Sequence, residues 1–338
     1  MGDVFFALPP ADRRDVLEVA AARSGRAVHL LEKDVWVVWT LNVLFASSFA
    51  TDLVFKGGTS LSKAYRAIGR FSEDVDLTYN IRAIASDLVS DSEHAIPPTR
   101  SQEQRWTKII RERLPAWLSG TIVPLLAKHL AETGVSATVS ADADTVLLEY
   151  HGLTAGSGYV RPIVLLEFGA RSTGEPSERR PIVCDAAAHV PDVLFPEASP
   201  NVMRPERTFW EKATAIHVFC RGGRFRGAER FSRHWYDVAC LDDAGYVTSA
   251  LADRDLARLV ARHKAMFFRE TDAGGQVIDY QAAVLGDLQL VPGGAAAGLL
   301  VEGYGGMVGD GLLFEDPPSF ETLIARCRDI QTRANETF

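Results

Sequence analysis

The stretch Phe55 to Tyr79, FKGGTSLSKAYRAIGRFSEDVDLTY, constrains this chain more than any other. The apolar run Leu53-Val54-Phe55 leads into Gly57-Gly58, and a helical pattern starts at Thr59 or Ser60, with Leu61, Ala64, Tyr65 and Ile68 at helical spacing. Two glycines at such a junction let the backbone approach a ligand and leave the first helical N–H groups open to an anion. Arg70 and Ser72 follow, and then Asp74-Val75-Asp76 runs into the strand-like Leu77-Thr78-Tyr79. Side chains at i and i+2 of a strand share a face, so Asp74 and Asp76 present two carboxylates side by side. Their mutual repulsion is relieved by a divalent cation between them.

A glycine turn for phosphate and a carboxylate pair for Mg2+ in one strand-helix-strand unit is the layout that phosphoryl or nucleotidyl transfer requires. The segments Lys56 to Lys63 and Arg70 to Leu77 resemble the signature of a nucleotidyltransferase family, the AbiEii and AbiGii type toxins of bacterial abortive-infection systems, in the pattern Lys-Gly-Gly-Thr-Ser-Leu-Ser-Lys then Arg-Phe-Ser-Glu-Asp-x-Asp-Leu. Glu-Phe-Gly-Ala-Arg at 167 to 171 resembles the family's second acidic element, and Ser232 to Val238 resembles its Arg-x-x-Tyr-Asp-Leu element, with Val238 in place of leucine. A Pro-Ser-Phe sequence at 318 to 320 is a further point of likeness.

The resemblance implies an α/β (α+β) protein of two lobes. A minimal nucleotidyltransferase mixed sheet would occupy residues 1–195 and a mostly helical lobe residues 200–338, with the active site in a cleft between them. It implies transfer of a nucleoside monophosphate from an NTP to an RNA acceptor, the tRNA 3' end in related toxins, and an antitoxin protein as partner. Asp74, Asp76 and Glu167 are the expected Mg2+ ligands, and Lys212 and Asp237 complete the catalytic set. Gly57, Gly58, Thr59, Ser60, Lys63, Arg70 and Ser72 are expected to hold the nucleotide, with Lys56 able to join them if it faces the cleft. Nucleotidylation of a protein or small molecule, and a non-catalytic regulatory module, are the alternatives; the intact Gly-Gly and Asp-x-Asp argue against the latter.

The remaining residues set the frame. The formal charge of −8 does not by itself suggest a nucleic-acid binder, so an RNA substrate would need a local basic patch. The densest is Arg221, Arg224, Arg226, Arg230 and Arg233, whose bland alternative is a solvated face. The longest apolar patch, Val35 to Ala50, is broken by Thr40, Asn42 and Ser47, so no membrane span is expected, and the N-terminus has no secretory pattern, which points to the cytoplasm. Cys184, Cys220, Cys240 and Cys327 are too widely spaced for a Cys-x-x-Cys zinc site and read as reduced thiols.

Helices are expected from 11 to 51, the second of them over Leu30 to Ala50, and from 105 to 133, where Pro115 and Pro124 should bend or divide the helix. Residues 81 to 104 read as a loop or mobile insertion. Strands are expected at Thr145 to Tyr150 and Val160 to Phe168, around a turn at Gly156 and Gly158, and Pro181 to Cys184 is strand-like. Helix returns from Thr208, and Arg233 and Asp237 are spaced for an intrahelical ion pair. His263 reads as a structural histidine. The region from Leu290 to Leu313 reads as a glycine-rich tail, before a closing helix from Glu321 to about Thr332.

Overall fold

The computed structural model describes residues 3–72, 74–89, 92–154, 160–222, 231–309, 311–314 and 316–336. The chain forms two compact units, one made of Met1–Ala64, Glu73–Ser90 and Trp106–Val202, the other of Tyr65–Ser72, Asp91–Arg105 and Met203–Phe338. The fold is mixed α/β, with a sheet-centred unit and a helical one.

The first unit begins with helices α1 (Pro10–Ser24) and α2 (Val28–Phe45). Helix α2 is apolar on nearly every side and is buried accordingly, Val35, Val38, Leu41 and Leu44 being fully enclosed. It ends at Phe45, short of the expected Ala50, because Ala46 to Ala50 turn the chain toward β1 (Leu53–Lys56). Helix α3 (Gly57–Lys63) starts directly on the first glycine of the pair, earlier than Thr59. Strand β2 (Val75–Tyr79) lies antiparallel to β1.

The described residues between 81 and 104 carry more helix than the sequence suggests. Short helices at Ile81–Ile84 and Ser86–Val89 bury Ile81, Ile84 and Val89, and helix α4 (Arg100–Trp117) begins before residue 105. The proline division occurs as expected: α4 contains Pro115, a wide helical turn spans Leu118–Ile122, and Pro124 stands in the first turn of α5 (Val123–Thr133). Strands β3 (Ala137–Asp142), β4 (Thr145–Tyr150) and β5 (Ile163–Gly169) follow, the second as expected and the first unforeseen. The turn glycines Gly156 and Gly158 lie outside the described residues.

With β6 (Ser177–Arg179) and β7 (Asn201–Met203) these strands make a sheet of order β3-β4-β5-β2-β1-β7-β6. On one face Tyr79 stacks on Trp117 with ring centroids 3.9 Å apart, and Phe168 meets the same indole edge-on at 6.0 Å. That apolar face, together with α2, is the core that fixes the register of the central strands.

The second unit is built from α6 (Pro205–Gly222), α7 (Arg233–Asp243), α8 (Tyr246–Ala252), α9 (Arg254–Phe267), α10 (Tyr280–Val284), α11 (Ala295–Gly309) and α12 (Phe320–Glu336). Its largest buried rings are tied by their polar edges: the Trp210 indole N–H donates to the Ala250 carbonyl at 3.0 Å, and that of Trp235 to Leu290 at 2.7 Å. Residues 65 to 72 are stitched in by backbone bonds, the Phe71 N–H donating to the Leu312 carbonyl and Phe314 to Gly69. Among the described residues, no helix is long and apolar enough to cross a membrane.

Candidate functional site

The sheet register gathers the acidic residues. Asp76 pairs with Lys56 of β1 on one side and with Glu167 of β5 on the other. Residues directly opposite in neighbouring strands point to the same face, so Lys56, Asp76 and Glu167 form one row. This is the face opposite Leu77 and Tyr79, which point into the apolar layer. Lys56 therefore shares the face of the carboxylates, the condition under which the sequence admitted it.

Gly57 explains the backbone at this point. Its φ is +80°, and a Cβ placed on it would lie 2.0 Å from Asp76 Oδ2, so the absent side chain leaves the space the carboxylate occupies. The Thr59 hydroxyl, 1% exposed, donates to the Asp74 carbonyl at 2.5 Å, and the Ser60 hydroxyl donates to the Gly57 carbonyl at 2.9 Å. The Thr59 hydroxyl thus fixes the segment that carries Asp74, and that of Ser60 closes the first turn of α3. Thr59 and Ser60 stand in the first turn of α3, the helix start at which the sequence expects phosphates to be held.

Glu167 records the crowding of negative charge. The covering of its carboxyl, then Asp76, then Asp74, push its pKa up to about 7, with a hydrogen bond to Asp76 and the charge of Asp144 adding to the effect. Asp144 is a residue that the sequence reading missed. Its carbonyl accepts the Phe168 N–H at 2.9 Å, which fixes the turn before β4 beside the end of β5. The hairpin that brings it there depends on β3, whose weakly apolar sequence hid it.

Among the described residues, no three His, Cys, Asp or Glu side chains are gathered closely enough to hold a metal ion as they stand. The donor set nevertheless fits Mg2+ in its chemistry. It is all carboxylate oxygen, and burial together with the charges of Asp76 and Asp74 leaves Glu167 holding a proton near neutrality, a crowding that a divalent cation would relieve.

The expected cations are placed differently. Lys63 is buried in the first unit, its ammonium 2.5 Å from Asp34 Oδ1 and 2.7 Å from Asp185 Oδ1. Burial opposes its charge, yet Asp34 and Asp185 together hold its pKa above the ordinary value. Arg26 also bonds Asp185, whose backbone N–H donates to Asp34 Oδ2 at 2.6 Å. Lys63 thus fastens α3 to α2 and to residue 185, a role unlike the triphosphate contact expected of it.

In the second unit Arg70, Lys212 and Asp237 come together. Arg70 grips Asp237 with two bonds, Nε to Oδ1 at 2.6 Å and Nη2 to Oδ2 at 2.8 Å, and Lys212 Nζ lies 2.8 Å from Oδ2. Asp237 is fully enclosed. Burial works against its ionisation, but Arg70 and then Lys212 hold its pKa well below the usual carboxylate range. Lys212 and Asp237 are therefore adjacent. The guanidinium expected on a triphosphate is instead spent on Asp237, whose side chain the spacing argument had paired with Arg233.

Arg221 is paired with Asp287 at 2.8 Å on an exposed surface, and Arg224, Arg226 and Arg230 lie outside the described residues. His263 is buried against the rings of Phe267 and Phe268, as a structural histidine should be.

Residues 40–326 match a family model described as the nucleotidyl transferase AbiEii toxin of type IV toxin-antitoxin systems. Among solved structures, MenT4, a nucleotidyltransferase toxin from Mycobacterium tuberculosis H37Rv, is similar at 18% identity and a TM-score of 0.48, over 97% of this chain and 90% of that one. No curated protein matches the sequence.

Proposed function

This chain belongs to the AbiEii family of nucleotidyl transferase toxins, and from that premise we propose that it moves a nucleoside monophosphate from an NTP to an RNA acceptor, the tRNA 3' end, and so blocks translation. The observation that carries the reading is the row of Asp76 and Glu167 across paired strands, with Asp74 on the loop that Thr59 anchors. Asp74, Asp76 and Glu167 would hold Mg2+, which when bound supplies charge neutralisation at the triphosphate and a more acidic attacking hydroxyl.

In this reading Asp76 orients the reacting end of the nucleotide, and Gly57, Gly58 and the N-terminal turn of α3 receive its phosphates on backbone N–H groups. Glu167 stands beside the attacking 3' hydroxyl, where as a carboxylate it would share in holding the cation and take up the hydroxyl's proton. The new bond joins the acceptor 3' oxygen to the α phosphorus as the bond to the β phosphate oxygen breaks, releasing pyrophosphate. Lys56, on the same face, and Ser72 are assigned to phosphate oxygens. Lys212 is assigned to the triphosphate, with Asp237 and Arg70 fixing its position. The arginines from 221 to 230 are assigned to the RNA backbone.

A type IV toxin-antitoxin family implies an antitoxin partner, and the action on a cytoplasmic acceptor places the chain in the cytoplasm in this proposal. The test is to incubate the purified protein with each α-labelled NTP, Mg2+, total tRNA and, in parallel, cell protein or small-molecule acceptors. Label on tRNA supports the reading; label confined to protein or a small molecule overturns the acceptor, and no label under any condition overturns the activity.

A further inference from the structure

Helix α3 is seven residues long, too short to hold its own place, so its position is set by what it packs against. Leu61 is fully enclosed, and at the last residue of the helix Lys63 reaches Asp34 Oδ1 of α2 at 2.5 Å and Asp185 Oδ1 at 2.7 Å, its side chain only 9% exposed. The Asp185 backbone N–H closes on Asp34 Oδ2, and Arg26 pairs with the Asp185 carboxylate, so two cations meet two carboxylates. A buried ion pair is often no more stabilising than well-packed apolar residues of the same volume, and its best-attested use is to fix one arrangement among several.

The other end of α3 carries what this arrangement would fix. The Thr59 hydroxyl donates to the Asp74 carbonyl, and Gly57 lies so close to the Asp76 carboxylate that a Cβ on it would stand 2.0 Å from Oδ2. A shift of α3 therefore moves the support of both aspartates.

We propose that Lys63, held by Asp34 and Asp185, is a positioning residue for Asp74 and Asp76: it locks α3 against α2, and α3 in turn sets where the two carboxylates stand. All of these residues lie in the first unit. The proposal rests on the reading of Asp74 and Asp76 as the cation-holding pair of the transfer site.

The test uses the full-length protein and the double variant Lys63→Met/Asp34→Asn. Methionine keeps an unbranched apolar stem, asparagine keeps an acceptor for the Asp185 N–H, and one charge of each sign is removed, which leaves the Arg26–Asp185 pair in place. Mn2+, standing in for Mg2+, is titrated by calorimetry without nucleotide, with Asp76→Ala as the blank, and kcat for labelled-nucleotide transfer is measured beside it. The folded double variant is expected to bind Mn2+ about tenfold more weakly or worse, and to lose about 10²-fold in kcat. A lysine that only stabilises the fold would lower the melting temperature and leave both quantities unchanged, so wild-type Mn2+ affinity or wild-type kcat in the folded variant overturns the proposal. Wild-type protein without Asp76-dependent Mn2+ binding overturns the carboxylate site and the proposal with it. Mn2+ binding without transfer overturns the activity alone, and the titration still decides the proposal. If the double variant does not fold, Asp34→Asn alone decides by the same titration, with weaker Mn2+ binding expected and wild-type affinity overturning the proposal.

Discussion

Replacing Gly57 by alanine separates the two demands that the structure makes on this position. The first is conformational. At φ +80° an L-residue costs roughly 1–2 kcal/mol more than glycine. The second is spatial: the new methyl would stand 2.0 Å from Asp76 Oδ2 and 2.8 Å from its Cγ, where ordinary contact begins near 3.4 Å. The carboxylate must therefore recede by about 1.4 Å, the difference between those distances, and a displacement near 1 Å at a reacting centre costs on the order of 10²-fold in rate.

Two other glycines supply the controls. Gly134, at φ +66°, has nothing within 4 Å of its imagined Cβ, so Gly134→Ala carries the backbone cost alone. Gly174, at φ +80°, would press its Cβ to 2.8 Å from Val54 Cβ and Cγ2 on a fully paired strand, which adds overpacking of about 1–3 kcal/mol. Chemical denaturation should rank stability as wild type, then Gly134→Ala, then Gly57→Ala and Gly174→Ala, which add a spatial cost to the backbone cost. Labelled-nucleotide transfer per folded molecule should fall about 10²-fold in Gly57→Ala only. Full activity in a folded Gly57→Ala protein would refute the link between this glycine and the placement of Asp76.

The Arg70-Lys212-Asp237 cluster predicts an order of damage. Asp237→Ala strands two buried cations and should cost about 3–5 kcal/mol by denaturation, whereas Lys212→Ala leaves Arg70 on the carboxylate and should cost about 1–3 kcal/mol. The proposed phosphate role of Lys212 adds a rise in KM for NTP beyond that stability loss. Glu32 predicts a pH effect: 3% exposed, with both oxygens accepting the Leu153 N–H, its pKa is raised by burial from 4.5 to about 7. The native state then keeps a proton that the unfolded chain has released. This contribution is fully present below about pH 4.5 and is lost as pH rises to about 7, by up to about 3 kcal/mol. Glu32→Gln should flatten that part of the stability profile and raise the melting temperature at pH 8 relative to wild type; an unchanged profile would sink the assignment.

What was legible in the sequence was local. The Gly-Gly junction, the i and i+2 aspartates and Glu167 at a strand end follow from periodicity, and the sheet register then aligns Asp76 with Glu167. What was hidden depended on pairs distant in the chain. The Arg70 bond to Asp237 spans 167 positions, and helical spacing pointed instead to Arg233, four residues away. Lys63 looked like a free cation because neither Asp34 nor Asp185 is near it in sequence. Helix α11 was concealed by its glycines, although Ala296, Leu300, Tyr304 and Met307 recur at helical spacing and are buried. Asp144 was missed because Ala137–Asp142 has too little apolar character to announce a strand.

The central claim is that the carboxylate row is a transfer site, and Asp76→Ala tests it most directly. Removing one of several mutually repelling carboxylates should leave the melting temperature at or above that of wild type, since the pKa of Glu167 already records the repulsion. The measurement is incorporation of α-labelled nucleotide into tRNA by equal amounts of folded wild-type and variant protein in Mg2+. The account predicts labelled tRNA with the wild type and none with Asp76→Ala; incorporation by the variant at the wild-type rate would contradict it.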